Sequence, residues 1–175
     1  EPSTSEFRGA DTGNYIHAVI EAFCSAVKNG SFDINSAKES DFDSFTETES
    51  IKYTEKIFSG NNIGARQKAF FRRMKNTASL LISDIAEEMK NSKFVPCFFE
   101  LPVSYSEDAV PPYKIILEDG TSAEIFGRID RADIMQRGEN IFVRITDYKT
   151  GRTSDVRDAP HTGIGLQLLL YLRSL

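Results

Sequence analysis

Cysteine is scarce in this chain of 175 residues: only Cys24 and Cys97 occur, with neither metal-ligand spacing nor a disulfide framework between them. A reducing cytoplasm is the expected compartment. Long apolar runs are lacking too. The longest clusters fall well short of the ~20 residues that span a bilayer, so no membrane role is expected. There is no signal peptide, and the chain opens Glu1-Pro2-Ser3-Thr4 without a methionine, as a piece of a larger protein would. Internal repeats and low-complexity tracts are absent. Nor is there an excess of positive charge, since the formal net charge is −5. Taken alone this disfavours a nucleic-acid ligand, but whole-chain charge is a weak guide where acids and bases gather in different places.

They do so here. Acids concentrate in a linker-like stretch, residues 41–55, whereas one group of bases, Arg66, Lys68, Arg72, Arg73 and Lys75, lies on a predicted helix. A solvated helix face is the commoner explanation of that group. A second group comprises Arg128, Arg131, Arg144, Lys149, Arg152 and Arg157. Its members flank the motifs described below and suit phosphate contacts.

With 40% hydrophobic and 11% aromatic residues, the chain can bury a core of single-domain size. Asp11 or Thr12 can cap a helix running to about residue 29, where Gly30 stops it, with Ile16, Val19, Ile20, Phe23 and Val27 as its apolar stripe. Residues 31–62 read as a short helix or two joined by loops. Residues 64–91 predict a long amphipathic helix carrying Phe70, Phe71, Met74, Leu80, Leu81, Ile85 and Met89.

The hydrophobic period then changes. Strands are predicted over 94–105, 113–117, 121–135 and 141–148, with turns at Glu118-Asp119-Gly120 and Arg137-Gly138-Glu139-Asn140, as consecutive antiparallel neighbours. Residues 163–175 predict a closing apolar helix. The order implies an α+β (α/β) fold: a mainly helical part over 1–92, then a sheet plus helix over 93–175.

The chemistry gathers at strand ends. Asp147-Tyr148-Lys149-Thr150-Gly151 follows the β-like run Ile141 to Thr146, and residues two apart on a strand share a face, so Asp147 and Lys149 point the same way. A carboxylate and an ammonium there carry a desolvation cost unless they pair or bind something. Gly127-Arg128-Ile129-Asp130 ends a second β-like run. Two aspartates and a lysine on adjacent strands would suit Mg2+, which takes a few carboxylates and keeps several waters. Asp133, three residues beyond Asp130, faces the other side of an ideal strand and is expected in a structural ion pair. Glu100 is either a further acid of the site or a simple edge-strand charge.

Gly13-x-x-x-His17, Gly127-x-x-Asp130, Asp147-x-Lys149 and Gln167-x-x-x-Tyr171, in that order, resemble the RecB-type branch of the PD-(D/E)XK nucleases. Within it, Gly127-Arg128-Ile129-Asp130-Arg131-Ala132-Asp133 followed by Asp147-Tyr148-Lys149-Thr150-Gly151 and Gly165-Leu166-Gln167-Leu168 is most similar to the AddB-type nuclease domains, over residues 10–175.

The resemblance implies a single nuclease domain over 1–175 with a restriction-endonuclease-like core, a central mixed sheet flanked by helices, and an N-terminal helical part. Its last strand would begin where this sequence ends. Implied roles are His17, Asp130 and Asp147 as metal ligands; Lys149 to position or activate water and stabilise the phosphorane; Gln167 and Tyr171 to orient Lys149, water or phosphate; and Arg128, Arg131 and Arg152 at DNA.

The implied activity is an Mg2+-dependent exonuclease, with Mn2+ able to substitute, acting on a single strand of DNA fed from a duplex and leaving a 5′-phosphate. Its partner would be a helicase-nuclease subunit of the AddA type, in double-strand break repair and recombination. AddB-type proteins also hold an iron-sulfur cluster. Cys24 and Cys97 match none of its ligand positions, so those ligands, if the parent protein has them, are expected outside this sequence. The competing readings are a DNA-binding module of the same fold whose chemistry has lapsed, and an unrelated α+β interaction domain with coincidental ion pairs.

Overall fold

The computed structural model describes residues 9–58, 64–149 and 167–175, the side chains of 9–11 and 167–169 excepted. The chain divides into two compact units, Glu1–Ser92 and Lys93–Leu175.

The first unit packs three helices: α1 (Gly9–Lys28), α2 (Glu39–Phe58) and α3 (Ala65–Asn91). α1 already runs at Gly9, so Asp11 and Thr12 lie inside it rather than capping it. Its end is where the sequence predicts it: Gly30 takes φ +78°, a left-handed conformation that glycine adopts without a Cβ penalty. Tyr15, Ile16, Val19, Ile20, Phe23 and Cys24 are buried along α1, whereas Val27 is only half-buried.

α2 corrects the sequence reading. The acid-rich stretch that reads as linker and short helices is one 20-residue helix. Its buried positions are Phe42, Thr46 and Ser50, a four-residue period whose last two members are polar and so leave no apolar stripe to see. Their hydroxyls are satisfied within the helix: Thr46 Oγ1 donates to the Phe42 carbonyl at 2.8 Å and Ser50 Oγ to the Thr46 carbonyl at 2.6 Å. Tyr15 and Ser50 also share a hydroxyl–hydroxyl bond, and burial pushes the Tyr15 phenol pKa up.

α3 opens on the Gly64 N–H donating to Gln67 Oε1 at 2.8 Å. Phe71, Ala78, Ile82, Ile85, Ala86 and Met89 are buried, but the expected core residue Leu80 is 68% exposed. The buried positions follow a stripe at 71, 78, 82, 85 and 89, and position 80 falls on its far side. Among the described residues no helix is long and apolar enough to cross a membrane.

The second unit holds β1 (Val95–Val103), β2 (Tyr113–Ile116), β3 (Ser122–Ile125), β4 (Gly127–Arg137), β5 (Asn140–Thr146) and α4 (Gln167–Ser174). The predicted continuous strand over 121–135 is two. β3 pairs back on β2 through the Glu118-Asp119-Gly120 turn, while β4 is the centre of a separate three-stranded sheet ordered β1-β4-β5. The break falls at Phe126, 54% exposed, whose ring meets Tyr105 edge-on at 5.8 Å.

Consecutive pairing therefore fails for β1, whose neighbour is β4, but holds for the hairpins β2–β3 and β4–β5. All ladders between the described strands are antiparallel. Turns are local in sequence, whereas the β1–β4 pairing closes over the whole β2–β3 hairpin. Val103, Ile129, Ala132 and Tyr171 form the unit's buried cluster, so α4 is docked on the sheet by its tyrosine.

Candidate active site

The central strand β4 carries the site. Register with β1 pairs Phe99 with Arg131 and Leu101 with Ile129, which sets Glu100 across from Asp130. Register with β5 pairs Arg131 with Thr146, and one residue further sets Asp147 across from Asp130 on the other side. Three carboxylates thus follow one another across the sheet, and residues opposite one another on antiparallel strands project to the same face.

Glu100 and Asp130 offer carboxylate oxygens within 4.8 Å of each other. Glu100 does so from φ +47°, a left-handed conformation that a non-glycine residue adopts at about 1–2 kcal/mol. Such strain persists where the surroundings over-determine it, and it gathers at functional sites. Glu100 also pairs with Arg128, Nη1 to Oε2 at 3.2 Å.

Asp130 reaches the next motif directly, since its Oδ2 accepts the Tyr148 N–H at 2.6 Å. That bond holds the backbone midway between Asp147 and Lys149. Asp147 itself is engaged by Lys149 Nζ, at 3.0 Å from Oδ1 and 2.8 Å from Oδ2. Asp147 is nearly buried at 13% exposure, whereas the Lys149 side chain is 52% exposed and so faces anything that approaches from solvent.

Behind this row lies a dry ionic clamp. Arg131 and Asp133, two apart on β4, share the opposite strand face and are both 0% exposed. Arg131 donates Nε to Oδ1 and Nη2 to Oδ2 of Asp133, both at 2.7 Å, and Nη1 to the Tyr148 hydroxyl at 2.8 Å. Arg144, directly across on β5, adds Nε at 3.0 Å and Nη2 at 2.5 Å to Asp133 Oδ2. The ion pair expected for Asp133 is there, with two guanidinium partners. Tyr148 is thereby held at both ends, by its N–H on Asp130 and by its hydroxyl on Arg131.

The PD-(D/E)XK nuclease superfamily profile matches residues 1–175. The chain belongs to that superfamily. The unrelated interaction domain is accordingly excluded. This nuclease-superfamily chain is 30% identical, over 171 residues, to the B-type subunit of the ATP-dependent helicase/deoxyribonuclease of Clostridium acetobutylicum, covering 94% of the chain and 14% of the relative. The like-named protein of Acetivibrio thermocellus is 32% identical over 173 residues, 96% of the chain and 15% of that protein. That of Clostridioides difficile is 36% identical over 115 residues, 65% and 10% respectively. The chain thus spans about a seventh or less of the length of these curated relatives.

Nucleases of this superfamily generally work with divalent metal ions. The donor set fits such an ion, because Glu100 and Asp130 present hard oxygen ligands close enough to share it. One expected role needs correction. Arg131, expected at DNA, is an internal cation: wholly buried and bidentate on Asp133, it could reach a phosphate only by stranding that carboxylate in the interior. Tyr171, expected to orient the reacting groups, is 4% exposed, and its hydroxyl accepts the Arg128 N–H at 3.2 Å, which braces the start of β4.

Tyr171 also explains the glycine of Gly127-x-x-Asp130. A Cβ at Gly127 would lie 1.9 Å from the Tyr171 hydroxyl oxygen and 2.9 Å from Cζ. Arg128, also expected at DNA, has its side chain 62% exposed and pairs with Glu100. His17 is half-buried on α1 in the helical unit. The Gln167 side chain and all of Arg152, Arg157 and His161 lie outside the described residues. Neither cysteine is in a disulfide; Cys24 is buried on α1 and Cys97 half-buried on β1. Glu100 is the site residue that the sequence left undecided. Its signal was its register opposite Asp130, which requires knowing that β1 pairs with β4.

Proposed function

We propose that this chain is the metal-dependent deoxyribonuclease part of a helicase-nuclease, an exonuclease hydrolysing phosphodiester bonds of a DNA single strand fed from a duplex. The observation that carries this reading is Asp130: on the central strand it faces Glu100 within 4.8 Å and accepts the N–H of the residue between Asp147 and Lys149. Two motifs distant in sequence are tied together by one carboxylate.

Asp130 and Glu100 would hold the cation, with Asp147 and, by the resemblance of Gly13-x-x-x-His17, the His17 imidazole as further ligands. Mg2+ suits this oxygen-rich set, and Mn2+ would substitute. Bound there, the cation would polarise a phosphate oxygen and make water a better nucleophile near neutral pH. Lys149 contributes charge and donors. Its ammonium has three N–H groups, so pairing with Asp147 leaves donors to hold the attacking water or the phosphate oxygen on which charge builds. Asp147 keeps that ammonium aimed. Arg128 would fix the neighbouring phosphate, with Gln167 and Arg152 as further contacts.

The similarity to B-type helicase/deoxyribonuclease subunits supports a partner subunit of the AddA type, a role in DNA repair and recombination, and a cytoplasmic setting. An iron-sulfur cluster, if the full-length protein holds one, would draw its ligands from elsewhere.

Titration calorimetry of the intact chain with Mn2+ tests the site. Binding is expected for the unmodified chain and for Lys149→Ala, weakened in Glu100→Gln and lost in Asp130→Asn. In the assembled helicase-nuclease, Lys149→Ala should lower cleavage of one strand by about 100-fold or more while ATP hydrolysis persists. An Asp130→Asn variant that binds Mn2+ and cleaves both strands normally would refute the reading. Intact metal and DNA binding without any turnover would instead favour the lapsed module.

A further inference from the structure

Within the helical unit, α2 and α3 enclose a groove of about 310 Å³ whose α3 wall presents Lys68, Arg72 and Lys75. Spaced four and three residues apart, these share one helix face over about 10 Å at 1.5 Å of rise per residue. Between positions 65 and 77 the helix has five cations, counting Arg66 and Arg73, and no acid. The first turn likewise has no acidic residue. Cations at a helix N-terminus oppose the helix dipole, so this arrangement works against the helix's own stability.

Neutralising the acids of α2 does not account for it. Lys75 does pair with Glu47, but among the described residues Lys68 and Arg72 make no ion pair. Both are exposed. The α2 wall offers Ile51, 48% exposed, beside the hydroxyl-bearing Thr54, while Phe71 at the floor is 7% exposed and too deep to stack on a base. Cations along one wall face a mixed wall of Ile51, Ser50 and Thr54 whose one acid, Glu47, is already paired with Lys75, and with no stacking platform this suits a sugar-phosphate backbone read without regard to sequence. The volume, at the lower end of ligand pockets, seats a short run of one strand and not a duplex.

We propose that the α2–α3 groove is a second nucleic-acid contact, in which Lys68, Arg72 and Lys75 track the phosphates of a single strand. This rests on the reading of the chain as acting on DNA, and it adds a site made wholly by the helical unit. Its test is the affinity of the intact chain for labelled oligodeoxythymidylate in metal-free buffer across a salt series. Lys68→Gln/Arg72→Gln and Lys68→Glu/Arg72→Glu are both surface changes, and circular dichroism checks their folding.

Loss of two phosphate contacts should lower affinity at low salt by tenfold or more and flatten the slope of log K against log salt by about 1.4. Arg66→Gln/Arg73→Gln, with the same charge change outside the groove, should do much less. An unchanged slope in the groove variants, an equal loss in the Arg66/Arg73 variant, or polyglutamate bound as tightly as the oligonucleotide would each overturn the proposal, the last in favour of an acidic protein segment. Titration of Lys68→Gln/Arg72→Gln with Mn2+ separates the two ideas. That groove variant should still bind Mn2+ as the parent chain does, because neither Lys68 nor Arg72 belongs to the carboxylate site.

Discussion

Gly127→Ala puts the packing of α4 on β4 to a quantitative test. Glycine inside a strand ordinarily weakens it, so an alanine should gain about 0.5–1 kcal/mol at a position without positive φ, and Gly127 has none. Here the new methyl would sit 1.9 Å from the Tyr171 hydroxyl oxygen, 2.9 Å from Cζ and 3.3 Å from Cε1. Tyr171 is 4% exposed and enclosed by Val103, Ile129 and Ala132, so its ring cannot swing clear without opening the cluster. Overpacking of this kind costs about 1–3 kcal/mol, and displacing the hydroxyl from the Arg128 N–H adds about 1 kcal/mol.

Against the backbone gain, a net loss of about 2 kcal/mol is expected. Tyr171→Phe alone should cost about 1 kcal/mol. The double variant should be little worse than Gly127→Ala, because the atom in closest conflict is gone, leaving a coupling of about 1 kcal/mol. Urea denaturation followed by far-ultraviolet circular dichroism, with amide exchange of β4 as a local probe, measures all three. Additive effects, or an alanine variant as stable as the parent chain, would refute the packing account.

Asp133→Ala should destabilise the sheet unit by about 3–5 kcal/mol, read by the same denaturation, because the buried Arg131 guanidinium loses its counter-ion; a change under about 1 kcal/mol would show the clamp to be dispensable. Thr46→Val should alter stability by less than about 1 kcal/mol, since that hydroxyl bonds only within its own helix; a larger loss would reveal a partner beyond the Phe42 carbonyl. At the β2–β3 turn, the Thr121 hydroxyl and N–H hold the Asp119 carboxyl below the usual range, the hydroxyl contributing most. A depressed carboxylate stabilises the turn above its ordinary pKa near 4 and ceases to as pH falls through the lower folded value. An NMR titration of the Thr121 amide should therefore move below pH 4; a midpoint at or above 4 would contradict the bonding seen.

Sequence alone determined what is local or chemical in this protein. Gly30, Gly120 and Gly138 end a helix and turn two hairpins because each needs a positive φ. The stripe of α1 and the length of α3 follow from helical period. Asp130, Asp147 and Lys149 stood out because charged groups at the ends of apolar strands need a partner or a ligand, and their order with His17, Gln167 and Tyr171 carried the family. α2 escaped because its buried face runs through Thr46 and Ser50, whose hydroxyls are satisfied by the helix itself and leave no hydrophobic period.

Tertiary structure decided the rest, and the reason is the distance along the chain between partners. Whether Arg131 meets DNA or Asp133 could not be read from the tripeptide Arg131-Ala132-Asp133; burial between β1 and β5 excludes the first and demands the second. Glu100 becomes a candidate ligand only once β1 lies beside β4 across the intervening hairpin. Tyr171 is seen to brace β4 only once α4 lies over Gly127, where the space admits a phenol ring and no Cβ. Local pattern names the groups that carry charge; which of them face each other in the dry interior depends on pairings made dozens of residues apart.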